Sequence, residues 1–149
     1  MFGVSGLGLN NEGLSTAEVL TEKGWKQMGP SLPVNILGHC MVHVNATTVM
    51  VIGGIQNGTQ NSNGTYILNT GNEQWRRGPN LKYGQARFLC GKLRTNLHRS
   101  EDLSIIVVGS FNSRIQLLDD LEADWRLGLK LPGKVSHKKK IQIGNVTKN

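Results

Sequence analysis

The chain has little aromatic surface, few cysteines and no long apolar run. Only 5% of its 149 residues are Phe, Trp or Tyr, and apart from Lys138–Lys140 its basic residues are scattered. A surface that stacks nucleic-acid bases needs a basic stripe interleaved with rings. The formal charge of +7 therefore points to attraction for acidic surfaces in general, with no nucleic acid expected as a partner. No segment approaches the roughly 18 apolar residues of a membrane-spanning helix, so no membrane span is expected. Met1 to Leu9 has neither a basic region nor a long apolar core and does not read as a secretory leader. Two cysteines do not make a disulfide scaffold. Cys40 and Cys90 stand fifty residues apart, at equivalent places in neighbouring units, and read as two buried thiols acting as small hydrophobes. A bond between them is geometrically conceivable if their Cα atoms come within about 7 Å.

What is present is repetition. Trp25, Trp75 and Trp125 fall fifty residues apart, Gly29-Pro30 is answered by Gly78-Pro79, and the apolar run Met50–Ile52 before Gly53-Gly54 by Ile105–Val108 before Gly109-Ser110. A period of this length marks a repeat protein, in which a unit cannot bury its apolar face alone. Within the first full unit the sequence predicts four short strands. They are Ile36–Val44, Val49–Ile52 closed by the double glycine, Tyr66–Asn69 after a polar loop at 55–65, and a last strand starting at Gln74. The second unit repeats this order with strands at 86–91, 103–108 and 114–118 and a fourth opened by Trp125.

The expected organisation is all-β. Residues 1–25 form the C-terminal half of a unit, its first two strands missing unless Met1 to Gly3 is the tail of the second. Complete units occupy 31–77 and 80–127, and a further one starts at 132–149. Both ends read as cut, so two whole and two partial units are expected. Such a piece leaves strand edges and apolar faces open, which invites association.

Each unit resembles a kelch repeat. The residues that carry the resemblance are Gly53, Gly54, Tyr66 and Trp75 in the first full unit, and Gly109 and Trp125 in the second, where Ser110 replaces the second glycine and Leu117 stands near the tyrosine position. The preceding partial unit keeps Glu18–Leu20 and Trp25. The resemblance implies an incomplete kelch-type β-propeller of four-stranded antiparallel blades, with the Cys40 or Cys90 strand innermost and the tryptophan strand outermost. It also implies recognition of protein partners through loops on one face, with the missing blades supplied by a longer chain or by self-association. The glycines allow tight turns and close backbone approach, and each tryptophan supplies a large apolar contact between units.

No catalytic constellation, cofactor or metal site is expected. His39 and His43 share a strand face, but zinc wants three or four ligands and the remaining histidines, His98 and His137, lie far away in sequence. A copper oxidase of the related kind would need two tyrosines and two histidines, and Tyr66 already fits a structural position. The candidate binding surface is the loops at 55–65, 78–85 and 95–102, with Arg76, Arg77, Lys82 and Arg87 available to carboxylates of a protein partner. Sequons at Asn45, Asn57, Asn63 and Asn145 point to a glycoprotein of secreted or cell-surface origin. The alternatives are an intracellular (cytoplasmic) adaptor with unused sequons or a remnant of the oxidase.

Overall fold

The computed structural model describes residues 2–130 apart from 5, 7, 11, 57, 95–102 and 110–113. Several sequence expectations lie outside the described residues: Asn57 and Asn145, Ser110, His98 and His137, the loop at 95–102, Lys138–Lys140 and the further unit at 132–149.

The described residues are all β, with every strand pair antiparallel. Strands β1 (Phe2–Val4), β2 (Ala17–Thr21) and β3 (Gly24–Gln27) make a three-stranded sheet. There follow β4 (Ile36–Leu37), β5 (Cys40–His43), β6 (Thr48–Ile52), β7 (Ile55–Gln56), β8 (Gln60–Asn61), β9 (Thr65–Asn69) and β10 (Gln74–Arg77). Of these, β5, β6, β9 and β10 form a four-stranded meander with the Cys40 strand at one edge and the Trp75 strand at the other. The last sheet repeats that order with β11 (Leu89–Arg94), β12 (Leu103–Val108), β13 (Arg114–Leu118) and β14 (Arg126–Lys130).

Three details differ from the sequence expectation. The first strand of the 31–77 unit is split: β4 leaves the meander and pairs with β7, and β7 with β8. The polar stretch at 55–65 is thus partly a hairpin, because Gly53 and Gly54 turn the chain back across Ile36. Phe2–Val4 pairs with β2, so the first sheet holds three strands. In the last sheet the first strand begins at Leu89, not Ala86, and the fourth at Arg126, one residue after Trp125.

The central sheet is buried on both faces, which explains why β6 is apolar at every position from Val49 to Ile52. Side chains alternate across a strand. Val49, Val51, Tyr66 and Leu68 pack with Val4, Ala17, Met28 and Leu32 from the first sheet side. Met50, Ile52 and Ile67 pack with Ile105, Val107, Leu118 and Trp125 of the last sheet. Gln116 is fully buried in that second contact. Its amide receives the Tyr83 N–H (3.3 Å) and donates to the Tyr83 carbonyl (3.3 Å), so a side chain takes the place of a strand partner for the connecting loop.

The two cysteines form a disulfide, Cα to Cα 6.0 Å, which corrects the reading as separate thiols. The reason is a one-residue difference in phase. Cys40 pairs with Ile52, just before Gly53, and the residue that pairs with Val108, just before Gly109, is Leu89. Cys90 therefore holds the place of Met41, not of Cys40. The shift turns its side chain to the opposite face of its sheet, so the two sulfurs meet between neighbouring sheets.

Candidate functional site

The turns at 45–47 and 70–73 lie side by side at one end of the central sheet, joined by the Thr70 N–H to the Thr47 carbonyl (2.8 Å). Both are set by asparagine. Asn45 Oδ1 accepts from Thr47 N (2.9 Å), and Asn69 Oδ1 from Gly71 N (2.9 Å), the local bonding that makes Asn a turn former. Glu73 closes the second turn at φ 55, in the left-handed region. Next to these turns comes the β13–β14 turn of the last sheet, which carries Asp119, Asp120, Glu122 and Asp124.

Between the two lies a groove of about 290 Å³, lined by Thr48, Asn69, Asn72, Gln74, Trp75 and Arg76 on one wall and Leu121 on the other. Arg76 spans it, its Nη2 donating to Glu122 Oε1 at 2.6 Å. A second bridge joins Lys82 to Asp124 at 3.4 Å. All four side chains of these bridges are largely solvent-accessible, so the Coulombic gain is screened and each pair contributes about 0–1 kcal/mol. Asp119 accepts from Arg126 Nε at 2.6 Å and from Ser104 Oγ. The Arg126 guanidinium, and after it the Ser104 hydroxyl, holds its carboxyl below the ordinary range, and the Arg126 pKa is raised in return.

Of the four basic residues expected to form one binding patch, Arg76, Arg77 and Lys82 have side-chain neighbours of their own, and Arg87 is placed through its backbone. Arg76 and Lys82 reach the acidic turn of the next sheet. Arg77 stands over the Tyr66 ring, 5.8 Å from its centroid. Arg87 sits at φ 55, and its N–H donates to the Gly38 carbonyl at 2.7 Å. All four are exposed, and only Arg76 lines the groove. Sequence reasoning missed the groove's neutral wall, although the signal was there: Asn69, Asn72 and Gln74 crowd one turn beside Trp75.

The opposite end of the central sheet is built on the double glycine. Gly53 and Gly54 have φ 59 and 103, and a Cβ on Gly54 would meet Ile36 Cγ1 at 2.6 Å. Gly109, at φ 106, ends the corresponding strand of the last sheet. Here the buried polar atoms His39 Nδ1, Tyr66 Oη and both amide atoms of Gln85 have no partner among the described residues. Burial pushes the His39 pKa below its ordinary value, opposed by a hydrogen bond with the Val4 backbone. His43 lies on β5 and is exposed. Among the described residues no three His, Cys, Asp or Glu side chains converge as a metal site would require. Tyr83, the other tyrosine, instead holds Arg114, which lies 4.7 Å above its ring and donates to its hydroxyl at 2.9 Å.

The tryptophans join the sheets. Trp75 Nε1 donates to the Pro30 carbonyl (3.1 Å) and Trp125 Nε1 to the Pro79 carbonyl (2.9 Å), while Trp25 is 54% exposed on the outer face of the first sheet. Of the sequons, Asn45 is exposed, with the Thr47 hydroxyl 3.3 Å from its Oδ1. Asn63 is exposed too, but its partner Thr65 is buried and donates to the Pro79 carbonyl at 2.9 Å.

Residues 38–82 match the family model of the Kelch motif, a stretch that runs from Gly38 through the double glycine, Tyr66 and Trp75. No curated protein matches the chain. Kelch repeats are in general non-enzymatic modules of protein–protein interaction. No described helix is long and apolar enough to cross a membrane.

Proposed function

We propose that this chain, which carries a kelch repeat at residues 38–82, is a non-enzymatic protein-recognition module that engages its partner at the groove between the central and last sheets. In this reading the blades are the three sheets, which run slightly past the expected bounds of 1–25 and 80–127, to Gln27 and Lys130. The observation that carries the proposal is the Arg76–Glu122 pair across a groove walled by Asn72, Gln74 and Trp75. An exposed ion pair exchanges one carboxylate for another at little cost. A partner segment bearing an Asp or Glu displaces Glu122 from Arg76 and lays its neighbouring side chain against Trp75 and Leu121, while the amides of Asn72 and Gln74 meet its backbone.

Panning a peptide-display library against the 149-residue chain tests this. The enriched peptides carry an acidic residue and lose about tenfold or more in affinity for Arg76→Glu, the usual cost of breaking a close charge pair at an interface. Peptides that bind Arg76→Glu and Asn72→Ala as well as the parent, or a library that yields no binder, refute it.

A secreted or cell-surface setting is part of the same proposal. Two observations support it: a disulfide between Cys40 and Cys90, which persists in oxidising compartments, and the solvent-facing sequon at Asn45. Intact mass after expression in a eukaryotic secretory host decides between this setting and an intracellular adaptor. Glycan on Asn45 supports the former, and bare asparagine at Asn45 and Asn63 removes it.

A further inference from the structure

The contact between successive sheets is built twice from the same parts, and the two outermost sheet faces expose those parts again. At each contact a tryptophan indole donates to a carbonyl of the preceding sheet's trailing segment, Trp75 to Pro30 and Trp125 to Pro79. These acceptors stand five residues after Trp25 and four after Trp75. The second contact adds the ion pair from Arg76, next to Trp75, to Glu122, three residues before Trp125.

On the first sheet, Trp25 pairs with Leu20 on the face turned away from the central sheet, and they are 54% and 41% exposed. On the last sheet the strand pairing puts Leu89, Leu93, Ile106 and Val108 on the face turned away from the central sheet. Leu89 and Leu93 are 63% and 42% exposed, and Leu129, in the bulge opposite Ile115, which pairs with Val108 on that face, is 85% exposed. Isolated exposed leucines are ordinary, but a contiguous apolar face of this kind marks a contact site.

We propose that these two faces are the halves of one interface between copies of this chain, which stack head to tail. Trp25 of one copy lies on the Leu89, Leu93 and Leu129 face of the next and donates to the carbonyl of Leu129 or Lys130. The charges agree with the steric match. Arg126 follows Trp125 as Arg76 follows Trp75, and Glu22 precedes Trp25 by three residues as Glu122 precedes Trp125. In the stack, Arg126 of one copy meets Glu22 of the next and repeats the internal Arg76–Glu122 bridge, while keeping its own Asp119. The contact uses different surfaces on the two copies, so each chain can hold two neighbours.

Sedimentation of the 149-residue chain over a concentration series tests the proposal through two variants, Trp25→Glu and Leu129→Glu. Neither residue belongs to the packed core, so both variants keep the thermal midpoint that the parent has at concentrations where it is monomeric. The parent associates as its concentration rises, and each variant stays monomeric, its self-association weakened by roughly 30-fold or more, as expected for loss of a central interface residue. Mixed together, the two variants form a one-to-one complex that grows no further, because one intact first-sheet face meets one intact last-sheet face. A parent that stays monomeric at every concentration overturns the proposal, and that is the result expected if another protein segment covers either face. Assembly that survives either substitution overturns it as well, as does a mixture that yields no complex. None of these outcomes bears on the peptide groove, which lies between two sheets of the same chain.

Discussion

Removal of the disulfide by Cys40→Ala with Cys90→Ala is expected to leave the sheets stacked while lowering their stability. The bond closes a loop of 50 residues, and cross-linking a loop of that length takes about 4 kcal/mol of chain entropy from the unfolded state at 25 °C. The folded arrangement does not depend on the bond alone. Val42, Met50 and Ile52 of the central sheet already pack on Ile105, Val107 and Trp125 of the last. Residual compactness of the denatured chain reduces the entropic figure, so a loss of about 2–4 kcal/mol is expected. For a chain of this length that corresponds to a fall of roughly 5–15 °C in Tm. Urea unfolding followed by tryptophan fluorescence measures it, because the buried Trp125 becomes hydrated on unfolding. The parent with and without reductant is compared with the double variant, and reduced parent and variant are expected to coincide. Superimposable curves for oxidised and reduced parent would refute the reasoning, as would two titratable thiols in the oxidised protein.

Three further outcomes are expected. Trp125→Phe keeps a ring between the sheets but removes the indole's hydrogen bond to the Pro79 carbonyl, which retains that from Thr65, costing about 0.5–1.5 kcal/mol, whereas Trp25→Phe in the monomeric Leu129→Glu background costs less than about 0.5 kcal/mol; equal losses in denaturant titrations would contradict the roles assigned to the two indoles. Gly54→Ala forces a Cβ to within 2.6 Å of Ile36 at φ 103 and lowers stability by about 2–4 kcal/mol, through positive-φ strain and overpacking together. His39 has a folded pKa below its ordinary 6.5, so above pH of about 6.5 it is neutral in both states and has no pH effect, while below it the unfolded chain binds the proton more readily and stability falls. Urea midpoints at pH 7 and pH 5.5 should diverge more in the parent than in His39→Asn, and parallel shifts in the two proteins would exclude His39 as the source.

The legible part of the fold was the part dictated by short-range chemistry. Gly53-Gly54 after the apolar run Val49–Ile52 and asparagine turns at 45 and 69 each announce a local conformation, and the tryptophan spacing announces its repetition. What escaped was phase. Cys40 and Cys90 share a fifty-residue interval with the tryptophans, but the interval between the equivalent glycines, Gly53 and Gly109, is six longer. The extra residues follow the first strand, whereas that strand itself comes one residue early: the counterpart of Cys40 is Leu89, so Cys90 stands one position on and serves the opposite face. The departure of Ile36-Leu37 to pair with β7 was hidden for a similar reason, since a two-residue strand carries no periodicity of its own. At the candidate site the sequence identified Arg76 by its charge but could not show that Glu122, forty-six residues later, sits opposite it, nor that Lys82 reaches Asp124 and Arg77 the Tyr66 ring.

A strand buried on both faces gives up a safeguard. In an ordinary half-buried strand a slip of one residue drives polar side chains into the core and is rejected at once. In β6 the same slip exchanges Val49 and Val51 for Met50 and Ile52, one apolar set for another, so hydrophobicity hardly discriminates the correct pairing from its neighbour. Alignment of the central sheet must then be enforced from its ends, by the positive-φ glycines that tolerate no side chain and by a sulfur bridge that only one pairing can close. By this reasoning a chain lacking both Gly54 and the bridge would keep its strands yet populate misaligned sheets, losing uniqueness before it loses β-structure.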